Sequence, residues 1–347
     1  MKNDGFIAPP TLKEEPDQWL AGGLKGIKYE EVVKPPTYWN VPKYIPTGEI
    51  QRSMVADTQA CVIFSGVRVV SFQINKMIAD GILDLVKLKP WLDSNNKFNG
   101  CERGLSILSG TSRTGNTQMN VGNTIDDYGI APEWVYPNPA PNSKTTWKEY
   151  HTISKAKLKE VKNWGKKWGE YFHTRFERIP NSKSSLEYHL RQVPIWWATA
   201  CCPGWGYKDI IPACYRPPCH ATTGYGERPN EYRNDLDHYT PFEKKLAWNY
   251  PIYYPYKLVV YPNESIKKKI MLQRKKNTKE VFLNIGGERY WIKDAEDFNQ
   301  LKKAQPIDKI EWENIEEVDI FTTPYNGKII GSTNLVDILK KFFGKIN

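Results

Sequence analysis

The chain has 347 residues, a formal charge of +10, 40% hydrophobic residues and 25% charged ones, which suits a globular protein of one large or two modest domains. No run approaches the eighteen or so apolar residues of a membrane span, and the start, MKNDGFIAPPTLKEEPDQW, lacks the apolar core of a secretory signal. A cytoplasmic or virion-associated setting is therefore expected, and the six cysteines read first as thiols or ligands and not as a disulfide framework.

Residues 1–50 are rich in proline and aromatics with little periodicity, and are expected to form an extended arm. After Asp57-Thr58, the residues Ile63, Val67, Val70, Ile74, Met77 and Ile78 recur at steps of three and four, predicting a helix from Cys61 to about Asp80-Gly81. With Asp57 or Thr58 as N-cap, Cys61 falls in the first turn, where free N–H groups and the helix dipole favour a thiolate. The competing reading is a small buried apolar cysteine. A polar loop then leads through Gly110–Asn116 to a second helix carrying Met119, Ile125 and Tyr128 and ended by Gly129. Ile130–Pro137 reads as extended chain and 138–146 as a loop. A basic helix follows with the stripe Leu158, Val161, Trp164, Trp168 and Phe172, and Ser184-Ser185-Leu186-Glu187 opens another.

From Val193 the pattern changes to strands at Val193–Ala200, His220–Tyr225, Asn234–Tyr239 and Ile252–Tyr261. Helices first and strands afterwards predict an α+β body with two packed halves. Beyond it, Val281–Ile285 and Glu288–Ile292 flank Gly286-Gly287 as a hairpin, Asp294 caps a short helix through Phe298 and Leu301, and a turn at Asn326-Gly327 precedes a last helix carrying Leu335, Ile338, Leu339 and Phe342. Residues 263–347 thus read as a small α/β module. The basic runs at Lys155–Lys167 and Ile266–Lys276 carry no nucleic-acid motif and read as solvated faces, the second as an exposed linker.

A helix-terminal cysteine needs a base. His173 and His189 sit in helical segments among charges, His151 in a linker and His238 beside a strand, whereas His220 opens an apolar strand and can face a cleft. Asp235 and Asp237 follow on the next predicted strand, available to hold the imidazole. Cys201, Cys202, Cys214 and Cys219 form no paired CxxC set, so buried thiols or one disulfide are expected there and no metal.

In order and flanks these residues resemble the papain-like cysteine peptidases, in a divergent prokaryotic or phage-type branch, over residues 49–262. Cys61 matches the nucleophile heading the central helix. Gly115-Asn116 through Ile125, Tyr128-Gly129, Pro132-Glu133 and Tyr136-Pro137 resemble the second helix and the chain leaving the helical half. Leu190–Ile195 is similar to the entry into the barrel half. His220-Ala221 before Gly224-Tyr225-Gly226 is similar to the family's His-Ala and Gly-Tyr, and Asp237-His238-Tyr239 stands where the family has Asn-Ser-Trp. The chain departs from the pattern in having Val55 where the oxyanion glutamine usually stands, Asp for Asn as third member, and no Gly-x-Cys-Gly. Gln51, in Gly48-Glu49-Ile50-Gln51, is the preferred substitute over Gln59.

The resemblance implies a two-lobed fold, helical to about 180 and barrel-like over 186–262, with 263–347 accessory. It implies acyl transfer without a cofactor: Cys61 as nucleophile, His220 as base, Asp237 as its support, and Gln51 with the Cys61 N–H at the oxyanion. The expected substrate is a peptide or protein. The alternatives are a peptidoglycan amide hydrolase with the same triad and an inactive shell used for binding in a virion. The C-terminal module is expected either to dock the protein to wall polymer or a virion partner, or to cover the barrel half.

Overall fold

Helix α1 (Cys61–Ala79) organises the fold, and every residue from Cys61 to Lys76 in it is buried. The structure is a computed structural model that describes residues 39, 41–51, 57–140, 143–205, 208–263 and 299, with strands between 271 and 330. The length and composition of α1 would suit a membrane span, although no such run was expected from the sequence, which places Arg68 and Lys76 within it; the helix lies inside the protein, as a core helix does. Its buried polar residues are spent on hydrogen bonds, as burial requires. Gln73 donates to Leu258 O at 2.6 Å and accepts from Val260 N at 3.0 Å, while Trp196 Nε1 reaches Ser65 Oγ at 2.7 Å and Thr223 Oγ1 reaches Ser65 O at 2.9 Å. The Ser65 bonds fix the helix against the sheet one turn from Cys61, and the Gln73 bonds hold its far half.

The chain divides into two compact units, one of Met1–Lys76 with Pro90–Asn263 and the other of Met77–Lys89 with Glu264–Asn347. In the first, α1 is followed by α3 (Glu102–Leu108), α4 (Gln118–Tyr128), α5 (Trp147–Tyr150) and α6 (Lys155–Tyr171). Helix α2 (Leu85–Leu88), capped by Asp84, belongs to the second unit. Thr117 caps α4 and Gly129, at φ 67°, ends it in the left-handed region that glycine adopts without strain. Helix α3 lies within the stretch expected to be a polar loop; the Cys101 side chain caps it. The basic helix ends one residue earlier than expected. Phe172 turns into β1 (Phe172–Arg178), which carries His173 and moves the start of the sheet ahead of residue 180.

After α7 (Lys183–Leu190) come β2 (Ile195–Thr199), β3 (His220–Arg228), β4 (Tyr232–Leu236), β5 (Glu243–Ala247) and β6 (Ile252–Pro262). With β1 they form an antiparallel sheet in the order β1-β6-β2-β3-β4-β5. The fold class is α+β. Strands β1 and β5 had no counterpart in the sequence reading, because charged residues at alternate positions mask their inward faces. Leu186, Leu190, Ile195, Trp197, Leu246 and Ile252 share one core cluster; truncating Trp197 would cost about 3–5 kcal/mol. A Cβ at Gly224 would lie 2.0 Å from the Trp197 ring, so only glycine fits at that crossing. Tyr44, Phe72, Tyr225 and Leu236 form another cluster with Trp39, and Phe72 stacks on Tyr225 at 4.9 Å.

The second unit holds a sheet in the order β10-β7-β8-β9-β11, from β7 (Met271–Lys275), β8 (Val281–Ile285), β9 (Glu288–Ile292), β10 (Ile315–Val318) and β11 (Tyr325–Ile330). Strands β8 and β9 pair antiparallel, with Ile285 opposite Glu288, and β10 and β11 run parallel to β7 and β9. Two expectations change. Part of the basic linker is β7, paired on both sides, and Asn326-Gly327 lies inside β11, where the register shifts between Tyr325 and Ile329. Of the arm expected over 1–50, residues 1–38 and 40 lie outside the described residues, as do the helix expected at 335–342 and, apart from the helical Asn299, the one expected at 294–301.

Candidate active site

Cys61 opens α1 and is fully buried. The Phe64 N–H bonds the Ala60 carbonyl at 3.0 Å, so Ala60 holds the N-cap position. Asp57, expected as cap along with Thr58, is engaged elsewhere. Its Oδ1 accepts from Gln59 N at 2.8 Å and from Gln51 Nε2 at 2.7 Å, and its Oδ2 accepts from Tyr239 OH at 2.8 Å. Gln59 takes φ 57°, an uncommon conformation for a residue with a side chain, two positions before the thiol.

His220, the first residue of β3, is fully buried, and Nε2 donates to Asp237 Oδ1 at 2.7 Å. That leaves Nδ1, which has no nitrogen or oxygen partner among the described residues, for the sulfur of Cys61. Burial pushes the Cys61 thiol up; the hydrogen bond and charge of His220 and the Ala221 backbone N–H pull it down, and the Asp57 carboxylate pushes it up again. Burial opposes the His220 cation, yet Asp237 and then Cys61 outweigh it and hold the imidazole well above its usual value. The structure thus brings Cys61, His220 and Asp237 together.

Asp237 stands immediately after β4 and is completely buried. His220 Nε2 and the His238 backbone N–H, each at 2.7 Å, donate to Oδ1; Trp205 Nε1 at 2.8 Å and Lys244 Nζ at 2.9 Å reach Oδ2. Burial would raise this carboxyl, but the charge and hydrogen bond of His220, backed by the Lys244 ammonium, hold it far below the usual carboxylate range. Asp235 is not part of this cradle. It accepts from Trp197 Nε1 at 2.9 Å, and burial followed by the charge of Asp237 pushes it up to about 7.

Gln51 is fully buried, and its backbone N–H bonds His238 O at 3.2 Å, so it lies beside the segment that carries Asp237. Two residues upstream, the Glu49 carbonyl accepts from the buried Arg68 Nη2 at 2.8 Å. Gln59 places its backbone N–H on Asp57. The Tyr239 ring stacks on His220 at 5.3 Å and Trp205 meets it edge-on at 5.8 Å. His151, read as a linker residue, donates from Nε2 to Thr58 O at 2.9 Å and steadies the approach to Cys61.

Sequence reasoning passed over Trp205, Lys244, Tyr239 and the liganding role of Asp57. For Lys244 a signal existed: in Glu243–Ala247 the inward positions alternate, and Lys244 shares its parity with the buried Leu246. Cys202 and Cys214 form a disulfide in the loop between β2 and β3.

Among the described residues two clusters have the proximity a metal would need. Ligand atoms of His220, Asp237 and His238 lie within 4.8 Å of one another, but Asp237 is already enclosed by donors and an ammonium, which disfavours a cation. Glu49, Glu102 and Glu133 form the other. Asn138 Nδ2 donates to Glu49 Oε2 at 2.6 Å and to Glu102 Oε2 at 3.1 Å, and its backbone N–H bonds Glu133 Oε1. Burial and then the Glu49 charge push Glu133 up to about 9 and Glu102 well above the carboxylate range, so retained protons relieve the repulsion.

No protein-family model matches the sequence, and no curated protein does. Among solved structures the chain is similar to the bromelain protease from Ananas comosus in complex with the E64 inhibitor, at 17% identity and a TM-score of 0.43, over 65% of this chain and 97% of that one. It is similar to the Carica candamarcensis cysteine protease CMS1MS2 in complex with E-64, at 14% identity and a TM-score of 0.43, over 66% and 98%. It is also similar to digestive procathepsin L2 proteinase from the larval midgut of Tenebrio molitor, at 13% identity and a TM-score of 0.45, over 76% and 78%. With TM-scores below 0.5, these likenesses carry no residue-level weight, and the chemistry rests on the geometry of Cys61, His220 and Asp237.

Proposed function

We propose that the chain is a papain-like cysteine peptidase that cleaves peptide bonds through a thioester acyl-enzyme. The observation that carries the reading is the line from Cys61, at the start of a buried helix, through His220 to Asp237 Oδ1 at 2.7 Å from the imidazole. A nucleophile, a base within its reach and a third group that orients the base are the parts acyl transfer needs.

In this reading His220 Nδ1 takes the proton of Cys61, and the sulfur attacks the scissile carbonyl. Negative charge develops on the carbonyl oxygen, and the Cys61 backbone N–H and the Gln51 amide receive it. Asp237 keeps Nε2 protonated, so Nδ1 is the nitrogen that accepts. His220 then returns the proton to the leaving amine, and water activated by the same nitrogen hydrolyses the thioester. Every step uses side chains of this unit and needs no cofactor.

Labelling with an epoxide thiol-protease reagent, followed by mapping of the modified residue, tests the reading together with turnover of a mixed peptide library. Selective modification of Cys61 with cleavage of peptides supports a peptidase. Selective modification with cleavage only of peptidoglycan stem peptides selects the wall-hydrolase alternative, and labelling spread over Cys101, Cys201 and Cys219 as readily as Cys61 removes the catalytic reading.

A further inference from the structure

The resemblance sets an amide where this chain has Asp237, and the surroundings of Asp237 supply a physical reason for the carboxylate. Among the described residues each oxygen of Asp237 faces two donors and no acceptor: His220 Nε2–H and the His238 N–H on Oδ1, Trp205 Nε1–H and the Lys244 ammonium on Oδ2. An asparagine must aim its NH2 at one of these pairs. Aimed at His220, it would force the wrong tautomer; aimed at Lys244, it would set a donor against a buried ammonium.

Lys244 is suited to nothing else. Its side chain is 2% exposed, and its three donors are spent on Asp237 Oδ2 at 2.9 Å, Tyr239 O at 2.8 Å and Pro241 O at 2.6 Å. It therefore holds both the carboxylate and the backbone of the segment that follows it. It also cancels the charge of Asp237, so that the pair presents His220 with an acceptor and little net charge, as an amide would.

We propose that Lys244 is a positioning residue: by closing an all-donor cradle it makes a carboxylate obligatory at position 237 and offsets that charge, keeping His220 a usable base. The proposal deepens the peptidase reading and rests on it for its catalytic meaning, while its electrostatic content can be read without turnover.

The charged and titratable groups around the pair come from every packed element. They are Cys61 and Arg68 on α1, Asp57 with Tyr239 at the approach, His220 on β3, Asp235 on β4, His238 beside Asp237, and Lys244 on β5. Burial and the neighbouring His220 keep His238 neutral, so it does not replace Lys244 as a counter-charge.

The test is the titration of His220, followed by nitrogen-15 imidazole resonances in the full chain carrying Cys61→Ala, together with the pH profile of peptide cleavage in the chain with Cys61 intact. Lys244→Met should move the His220 titration and both limbs of the profile up by roughly one pH unit, about tenfold in the competent population at fixed pH. Asp237→Asn should move them down. The double variant should fall between and should cleave faster than Asp237→Asn alone, because the ammonium that opposed the amide is gone. Lys244→Arg, which keeps the charge, should retain the wild-type titration even if it loosens the segment.

A Lys244→Met titration that overlays the wild type overturns the proposal, as does Lys244→Arg behaving like Lys244→Met. A double variant slower than Asp237→Asn also overturns it, since a purely structural lysine would give additive losses. If the titrations shift as stated but no peptide is cleaved, the cradle stands and the peptidase reading falls.

Discussion

Gln51 donates its side-chain amide to Asp57 Oδ1 at 2.7 Å, so the group proposed to receive an oxyanion is held by a carboxylate four residues ahead of Cys61. The same carboxylate raises the Cys61 thiol. A fixed negative charge there opposes both the thiolate and the developing oxyanion. Asp57→Asn keeps an acceptor for Gln51 and Gln59, turns an NH2 toward the Tyr239 hydroxyl, which can accept it, and removes the charge. It should speed alkylation of Cys61 at neutral pH several-fold, measured with iodoacetamide, whereas Gln51→Ala should lower peptide turnover about a hundredfold. Unchanged alkylation of the asparagine variant would mean that Asp57 lies away from the thiol in solution.

Cys61→Ala and His220→Ala should each reduce turnover by at least about a thousandfold, since a nucleophile and its base act as a unit. Thermal melting checks that the fold survives. Cys61→Ala should be well tolerated, because only a small buried sulfur is removed; His220→Ala also removes one of the four donors that hold the buried Asp237 carboxylate and should lower the melting temperature.

Asp235 and Asp237 differ sharply in their surroundings. Asp235 sits against Trp197, with its carboxyl pushed up to about 7 from 3.8 by burial and the charge of Asp237. Because the folded value lies above the unfolded one, its contribution to stability is full below about 3.8 and declines as pH rises through about 7. Asp235→Asn should therefore melt close to the wild type at acidic pH and higher than it at pH 8. A pH-independent difference in melting would contradict this assignment.

The Glu49, Glu102 and Glu133 cluster predicts the same sign over a wider window. Burial and Glu49 raise Glu133 from 4.5 to about 9, so the folded state binds a proton that the unfolded chain releases. Stability from this group falls as pH climbs from 4.5 to about 9 and is flat beyond. Glu133→Gln keeps an acceptor for Asn138 N and should flatten the melting temperature across that interval, with a gain of a few degrees at pH 8. Calorimetry at several pH values decides it.

Much of this site was legible because local pattern and tertiary role coincide. Cys61 heads an apolar run with helical period, and burial of that run on all sides is what the period and composition call for. His220 opens a strand of small and apolar residues, and a strand with no outward face has to be central, as β3 is between β2 and β4. Asp237 follows the neighbouring strand, so antiparallel pairing carries it back to His220.

Other features were decided only when distant segments met. Asp57 has the local signature of a helix cap, but Gln51 and Tyr239 bring side-chain donors that claim its oxygens, and the cap position falls to Ala60. Glu49, Glu102 and Glu133 are dispersed in sequence and become one proton-sharing cluster through Asn138. Lys244, in Glu243-Lys244-Lys245, looks like part of a solvated charge run. The sequence by itself determined which residues could do acyl transfer, because helix and strand periodicities are local properties. The tertiary structure alone decided how they are charged, because burial and the facing of Lys244 onto Asp237 depend on the β4–β5 pairing and on the loop that carries Trp205.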